Sequence, residues 1–234
     1  MQEQIVIVGD GRMGRALARA LGAHGPHGRG FDAAGFDVVL LCVPDSEIAA
    51  AAAAVAPGPL VGHCSGATGL DALAPHEGFG LHPLMTVTRA GADFAGAGCA
   101  IGATSARALD TARRLAHELG MRPIEIADGD RATYHAAAAI ASNFLVTIEA
   151  AAERLAATVG VSRELLAPLV RAAADTWARE GAAALTGPIA RGDEATVARH
   201  RDAIARRTPD LLGLYDALAE ATRALAAQPA EAAP

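Results

Sequence analysis

The spacing of hydrophobic positions along this chain changes character once, near Asp128. Before that point short aliphatic runs alternate with stretches of helical period. Residues 5–8 form a β-branched run that ends in glycine, the pattern of a buried parallel strand. Residues 12–21 then place Met13, Leu17 and Leu21 on one stripe, which predicts a helix. Residues 37–43 predict the next strand, closed by Pro44, and residues 48–55 a helix stopped at Pro57-Gly58-Pro59. Three further strands are expected at residues 60–63, 79–82 and 99–102. A helix capped by Ser105 or Thr104 is expected to end near Leu119, and a last strand to cover residues 122–126. After Asp128 only helical spacing remains. It predicts one long helix over residues 130–159, stopped by Gly160, then helices over residues 163–180 (capped by Ser162), 194–207 and 211–225, and a frayed tail from Ala226. The expected architecture is a doubly wound, Rossmann-like α/β domain over residues 1–128 joined to an all-α domain over residues 129–234.

Composition narrows the function classes. The net charge of −6 carries no basic block, so there is no electrostatic footprint for nucleic acid. The three cysteines, Cys42, Cys64 and Cys99, form no C-x-x-C pair and read as reduced thiols, which points to the cytoplasm. The N-terminus runs straight into a strand, so no signal peptide is expected, and the Ala-rich run after Ile48 is too short and weakly apolar to span a membrane. His63, Cys64, His76 and His82 match no zinc spacing, so no metal is expected. Lysine does not occur in the chain.

Gly9-Asp10-Gly11-Arg12-Met13-Gly14 fits G-x-G-x-x-G between a predicted strand and a predicted helix. Gly9 suits the tight turn, Gly11 the approach of a pyrophosphate, and Gly14 close packing of helix on strand. The helix start, with Arg12 and Met13, faces the anion. The next strand falls on Ala-His-Gly-Pro-His-Gly-Arg-Gly, a poor strand confined to an edge. The residues up to Asp37 are too few for a crossover helix and a third strand, which together take at least about ten to twelve. The usual third strand is therefore expected to be missing. An acid at the end of strand two would select NAD(H), and an arginine NADP(H). Residue count puts Asp32 there; alignment of the strand puts Arg29 there. Strand geometry decides which side chain reaches the ribose, so Arg29 and NADP(H) are preferred, with NAD(H) as the alternative.

Ligands in such sheets lie beyond the carboxyl ends of the strands. There the sequence offers Val43-Pro44-Asp45-Ser46 beside the cofactor, His63 to Thr68 with Ser65, and Leu81 to Thr86 with His82. A histidine titrates near neutral pH and suits proton transfer during hydride chemistry. On the long helix His135 and Ser142 are nearly eclipsed and Asn143 lies close by, a polar set on a greasy surface. Farther on, Thr186 and Arg191 flank a Gly-Pro break, where Arg191 offers a fixed charge for a carboxylate.

The glycine turn, "LLCVPDSEI", "HCSGATGLDAL", "GLHPLMTV", "YHAAAAIASNFLV" and "ALTGPIARGDEATVARH" together resemble Rossmann-like proteins with a C-terminal helical domain of unknown function. Such proteins are often labelled NADP-dependent oxidoreductases. The resemblance spans almost the whole chain. Three relatives suggest chemistry. Ketopantoate reductases carry a Lys and Asn on the first long interdomain helix; His135 stands where that Lys would be, Ala139 replaces one Asn and Asn143 keeps another. With no lysine in the chain, His135 or His82 would have to donate the proton. Prephenate dehydrogenases share the "HP" turn, where Ser65 and His82 match substrate-contacting residues. Pyrroline-carboxylate reductases share the plan and reduce an imine. The resemblance implies an NADPH-dependent reductase of a small 2-oxo acid, ketopantoate-like, and the two-domain plan with an apolar helical domain leads us to expect a homodimer. In that reading His82, His135, Asn143 and Ser65 are catalytic, and Thr186 and Arg191 hold the substrate. The alternatives are a prephenate-type dehydrogenase or imine reductase, and a nucleotide-binding module without catalysis.

Overall fold

The computed structural model describes residues 3–28 and 30–228. Seven strands form one sheet: β1 (Ile5–Val8), β2 (His24–His27), β3 (Val38–Leu41), β4 (Leu60–His63), β5 (Gly78–Leu84), β6 (Gly98–Ala103) and β7 (Arg122–Glu125). Their order is β2-β1-β3-β4-β5-β6-β7. Strands β1 and β3 are apolar at every position because both faces are covered. Ile5, Ile7, Val38 and Leu40 point into a core shared with α1 (Arg12–Leu21) and α3 (Ala106–Glu118). Their neighbours Val6, Val8, Val39 and Leu41 point the other way, onto α2 (Ile48–Ala53). This two-residue alternation, with helices on both faces, is the doubly wound α/β arrangement.

Strand β2 is a short edge strand that pairs only with β1, as its Pro26 requires. No helix lies between β2 and β3 among the described residues, so the chain passes directly from the edge to the other side of β1. That reversal creates a crevice between the carboxyl ends of β1 and β3, the place where such sheets receive ligands. The second half of the sheet departs from simple alternation. β5 is parallel to β4 but antiparallel to β6. No helix intervenes between Leu84 and Gly98, and the chain folds back on itself there. Helix α3 then restores a parallel β6–β7 pair, starting at Ser105, whose hydroxyl accepts from the Ala108 amide at 3.1 Å.

From Arg131 the chain is helical: α4 (Arg131–Ala139), α5 (Leu145–Ala157), α6 (Arg163–Glu180), α7 (Glu194–Arg207) and α8 (Leu212–Ala226). The single helix expected over residues 130–159 is interrupted by a π turn at Ile140–Phe144. Close packing divides the chain into two compact units between Ser142 and Asn143. The strands end before Asp128, but the first unit continues into α4 because Arg131 is buried. In the second unit α7 and α8 enclose Val197, Ile204 and Ala219 and are tied by Arg201–Asp216 at 2.6 Å and Arg223–Glu194 at 2.7 Å. The stretch Asp128–Ala157 is long and apolar enough to cross a membrane by length and composition, but its first turn carries the buried Arg131.

Candidate functional site

The glycine turn sits in the crevice between β1 and β3. Gly9 has φ +120°, and a Cβ there would lie 2.3 Å from the Cys42 carbonyl oxygen. A Cβ on Gly14 would lie 1.9 Å from the Gly9 carbonyl. The packing of the protein itself requires both glycines. Gly11 is different: its backbone is ordinary extended chain, and a Cβ would meet nothing closer than 4.0 Å. Gly11 caps α1 without any side-chain hydrogen bond, and no acid stands in the first turn. The first amides of the helix therefore face outward with a favourable dipole for an anion. Asp10 is held aside by Arg15, which donates to its two oxygens at 2.7 and 2.8 Å. Next to the turn a cavity of about 260 Å³ is lined by Val8, Phe31, Leu41, Val43 and Ser46.

Three loops and one helix build a second feature at the far side of β4. After β4 the Ser65 hydroxyl donates to Asp45 at 2.8 Å and accepts from the amides of Ala67 and Thr68 at 3.2 and 2.9 Å. This folds the loop into a tight turn and fastens it to the end of β3. The Ser65 amide donates to His63 Nδ1 at 3.2 Å, so the His63 proton resides on Nε2. Burial, then the Arg131 charge, holds His63 down to about 4, and it is neutral at physiological pH. Asp128 closes the loop from the helix side, accepting from the Leu70 amide at 2.9 Å and from Arg131 Nε at 2.6 Å. Burial opposes ionisation of Asp128, but these bonds outweigh it and hold the carboxyl below its ordinary range. The Arg131 guanidinium lies over Gly80 and Gly102, which face each other across β5 and β6; a Cβ on them would come within 2.7 and 3.1 Å of Nη2.

His82, late in β5, projects beyond the end of β4. Its Nδ1 lies 2.8 Å from the Tyr134 hydroxyl of α4, with the two rings edge to face. The His135 ring stands 6.1 Å from it. Gly66 forms a notch between the two histidines: a Cβ there would lie 3.0 Å from His82 Nε2 and 2.9 Å from His135 Cδ2. Burial, then His135 and Arg131, pushes His82 down to about 4 against the opposing pull of Asp45. Burial raises the Tyr134 phenol to about 12. The notch thus presents an uncharged imidazole backed by a protonated phenol.

The model of one protein family, described as a domain of unknown function (DUF2520), matches residues 97–222. The chain belongs to that family. The DUF2520 region includes Tyr134 and His135, while the glycine turn, Gly66 and His82 precede it. Among solved structures the chain is similar to a Bacteroides fragilis protein provisionally named an NADP oxidoreductase, with 21% identity, TM-score 0.81, and 95% of this chain and 98% of that one covered. It is similar to protein TM1727 from Thermotoga maritima, with 23% identity, TM-score 0.80 and the same coverage. A reductive aminase from Aspergillus terreus, in complex with NADPH and ethyl-5-oxohexanoate, shares 18% identity at TM-score 0.65, covering 95% of this chain and 96% of that one. At these identities the likeness establishes the fold. No curated protein matches the chain.

The DUF2520 chain brings together some of the residues expected from sequence. Gly9, Gly11 and Gly14 share one turn, and Val43 lines the adjoining cavity with exposed Pro44 next in the chain. Arg12 is exposed at the helix start, whereas Met13 packs against the core. Arg29 lies outside the described residues. Asp32, the other candidate for the ribose position, accepts from the Ala34 amide at 3.0 Å within its own turn. His82 and His135 meet at Gly66; the Ser65 hydroxyl is committed to Asp45 and its own loop. Ser142 bonds back to the Ala138 carbonyl at 2.7 Å, and the π turn breaks the helical period that eclipsed it with His135. Asn143 is exposed in that π turn. Thr186 and Arg191 are exposed in the link between α6 and α7, where the Arg191 amide donates to the Gly187 carbonyl at 3.3 Å. Sequence reasoning gave no role to Tyr134, Asp128, Arg131, Asp45 or Gly66. The available signals were the Tyr-His pair, the Asp-x-x-Arg spacing at a helix start and the glycine after Ser65.

Proposed function

We propose that the α/β unit binds NADP(H) at the Gly9–Gly14 turn and reduces the carbonyl of a small 2-oxo acid, ketopantoate-like, at the Gly66 notch. The observation that carries this reading is Gly11. Nothing in the fold needs a glycine there, neither φ nor space, yet the position sits before an uncapped helix start in the crevice between β1 and β3. A pyrophosphate drawn close to the backbone explains it. The turn and the α1 amides would hold the phosphates, and the cavity lined by Phe31 and Val43 suits the adenine end. The preference for NADP(H) over NAD(H) rests on Arg29 in the sequence. When bound, the reduced nicotinamide supplies hydride.

The chain's own residues would do the rest. The Asp45–Ser65 bond fixes the loop that carries Gly66. Among the described residues no hydrogen bond is made to His82 Nε2, the edge that lies beside Gly66, so an imidazole N–H there would be available to a substrate carbonyl oxygen, with His135 on the other side. A neutral donor of this kind polarises the carbonyl and stabilises the charge that develops on oxygen.

The test is a titration of the purified protein with NADPH and NADH, followed by NADPH oxidation with ketopantoate, other 2-oxo acids and a cyclic imine. Tight NADPH binding and turnover of a 2-oxo acid are expected, with turnover cut in His82→Asn and His135→Ala. Binding of neither nucleotide would make the chain a non-catalytic module. Turnover of the imine alone would replace the carbonyl reading by imine reduction.

A further inference from the structure

A neutral imidazole is a poor acid. His82 is neutral at physiological pH, so it releases the Nε2 proton readily only if Nδ1 gains one at the same time. The group facing Nδ1 is the Tyr134 hydroxyl, at 2.8 Å. We propose that Tyr134 and His82 form a two-step proton relay, from Tyr134 Oη to His82 Nδ1 and from His82 Nε2 to the substrate oxygen at the Gly66 notch. Three geometric facts carry it. The Tyr134–His82 hydrogen bond occupies one edge of the imidazole. The opposite edge, Nε2, makes no hydrogen bond among the described residues and lies beside Gly66, where a Cβ would come within 3.0 Å. Tyr134 and His82 are both partly exposed.

The relay rests on the carbonyl-reducing reading above and deepens it. As the carbonyl carbon takes up hydride from the reduced nicotinamide, the C=O π pair moves onto oxygen. The Nε2–H bond breaks and an O–H bond forms. The Tyr134 O–H bond breaks and an Nδ1–H bond forms, leaving a phenolate. An alkoxide is a stronger base than a phenolate, so the transfer runs downhill. The proton that the reduction consumes then enters from bulk solvent at Nε2 while Nδ1 returns its own to Tyr134, restoring the starting tautomer. The charged and titratable groups around the pair are Asp45 at the end of β3, Cys99 on β6, and Arg131 and His135 on α4. Burial, and after it Cys99, keep Tyr134 protonated, while Arg131 opposes them. Burial, His135 and Arg131 keep His82 uncharged against Asp45. The proton source is therefore a phenol that stays protonated through the neutral range. Tyr134 acts through His82 and is a positioning and supplying residue; His82 is the group that touches substrate.

The decisive readout uses the protein without substrate. Long-range proton–nitrogen NMR on histidine-labelled protein should show His82 with Nε2 protonated and Nδ1 as bare acceptor. Tyr134→Phe should abolish that tautomer preference. In turnover, Tyr134→Phe should lower kcat about 100-fold while KM and NADPH affinity stay unchanged. The wild-type rate should be flat between about pH 6 and 8, because no imidazolium has to be populated; a charged His82 as donor would lose about tenfold per pH unit there. A wild-type His82 protonated at Nδ1, or full kcat in Tyr134→Phe with a reducible carbonyl, overturns the relay alone. If no carbonyl is reduced by the wild-type protein, the proposed function falls, whatever the tautomer.

Discussion

A methyl group at Gly14 would stand 1.9 Å from the Gly9 carbonyl, while one at Gly11 would reach nothing within 4.0 Å. The two glycines of one motif therefore answer to different demands, packing and ligand approach, and mutation separates them. Gly14→Ala should destabilise the fold by about 1–3 kcal/mol in denaturant unfolding, the usual range for overpacking. Gly11→Val should cost only the loss of a glycine N-cap, about 0.5–1 kcal/mol, and weaken NADPH binding at least about tenfold, roughly 1.4 kcal/mol, by direct titration. At the same scale, His63 and His82 are held near 4, below the ordinary 6.5. The unfolded chain binds protons that the folded chain refuses. Their contribution to stability is complete above about pH 6.5 and is lost as pH falls from there toward 4. Asp128, held below 3.8, acts in the same direction at still lower pH. The urea midpoint should thus decline between about pH 7 and 4.5, and decline less steeply in His82→Asn.

Arg131 fastens α4 to the sheet. It reaches back one helical turn to Asp128 and spreads over the cross-strand pair Gly80 and Gly102, which leaves space where two side chains would stand. Arg131→Ala removes that packing and strips Asp128 of its partner. It should cost about 2–4 kcal/mol in denaturant unfolding, chiefly the packing of a large buried side chain. Because Tyr134 lies on the turn that follows, the same variant should disturb the His82 signals in NMR, whereas Gly11→Val should not. The Asp-x-x-Arg spacing was open to view in the sequence. That it would sit on a glycine pair was not, because the pairing of β5 with β6 depends on an antiparallel return that no short-range pattern announces.

For the whole molecule the helices after the sheet pose the largest question. Neither α5 nor α6 has a buried residue, and Phe144, Val146, Leu165, Leu169 and Trp177 are all at least 55% exposed. Helices of this length draw most of their stability from packing an apolar face, and exposed apolar side chains on such helices point to an association surface. We propose that a second copy of the chain covers them. Sedimentation should show a dimer, and Leu165→Glu with Leu169→Glu should shift it to monomer. A monomeric wild-type chain would overturn the dimer, and binding to lipid vesicles instead would make the surface a membrane contact.

Local pattern by itself determined the element order, the truncated edge after β1, the glycine turn and the switch to helices after Asp128. Each depends on residues near in sequence: periodicity, caps, proline and loop length. Tertiary structure decided the antiparallel β5–β6 pair, the π turn at Ile140–Phe144, and the hydrogen bonds within the candidate site. The partners of Ser65 and Tyr134 were hidden from the sequence for one physical reason. Whether a hydroxyl is free or committed depends on partners far along the chain, Asp45 for Ser65 and His82 for Tyr134, and only packing brings those partners within a hydrogen bond.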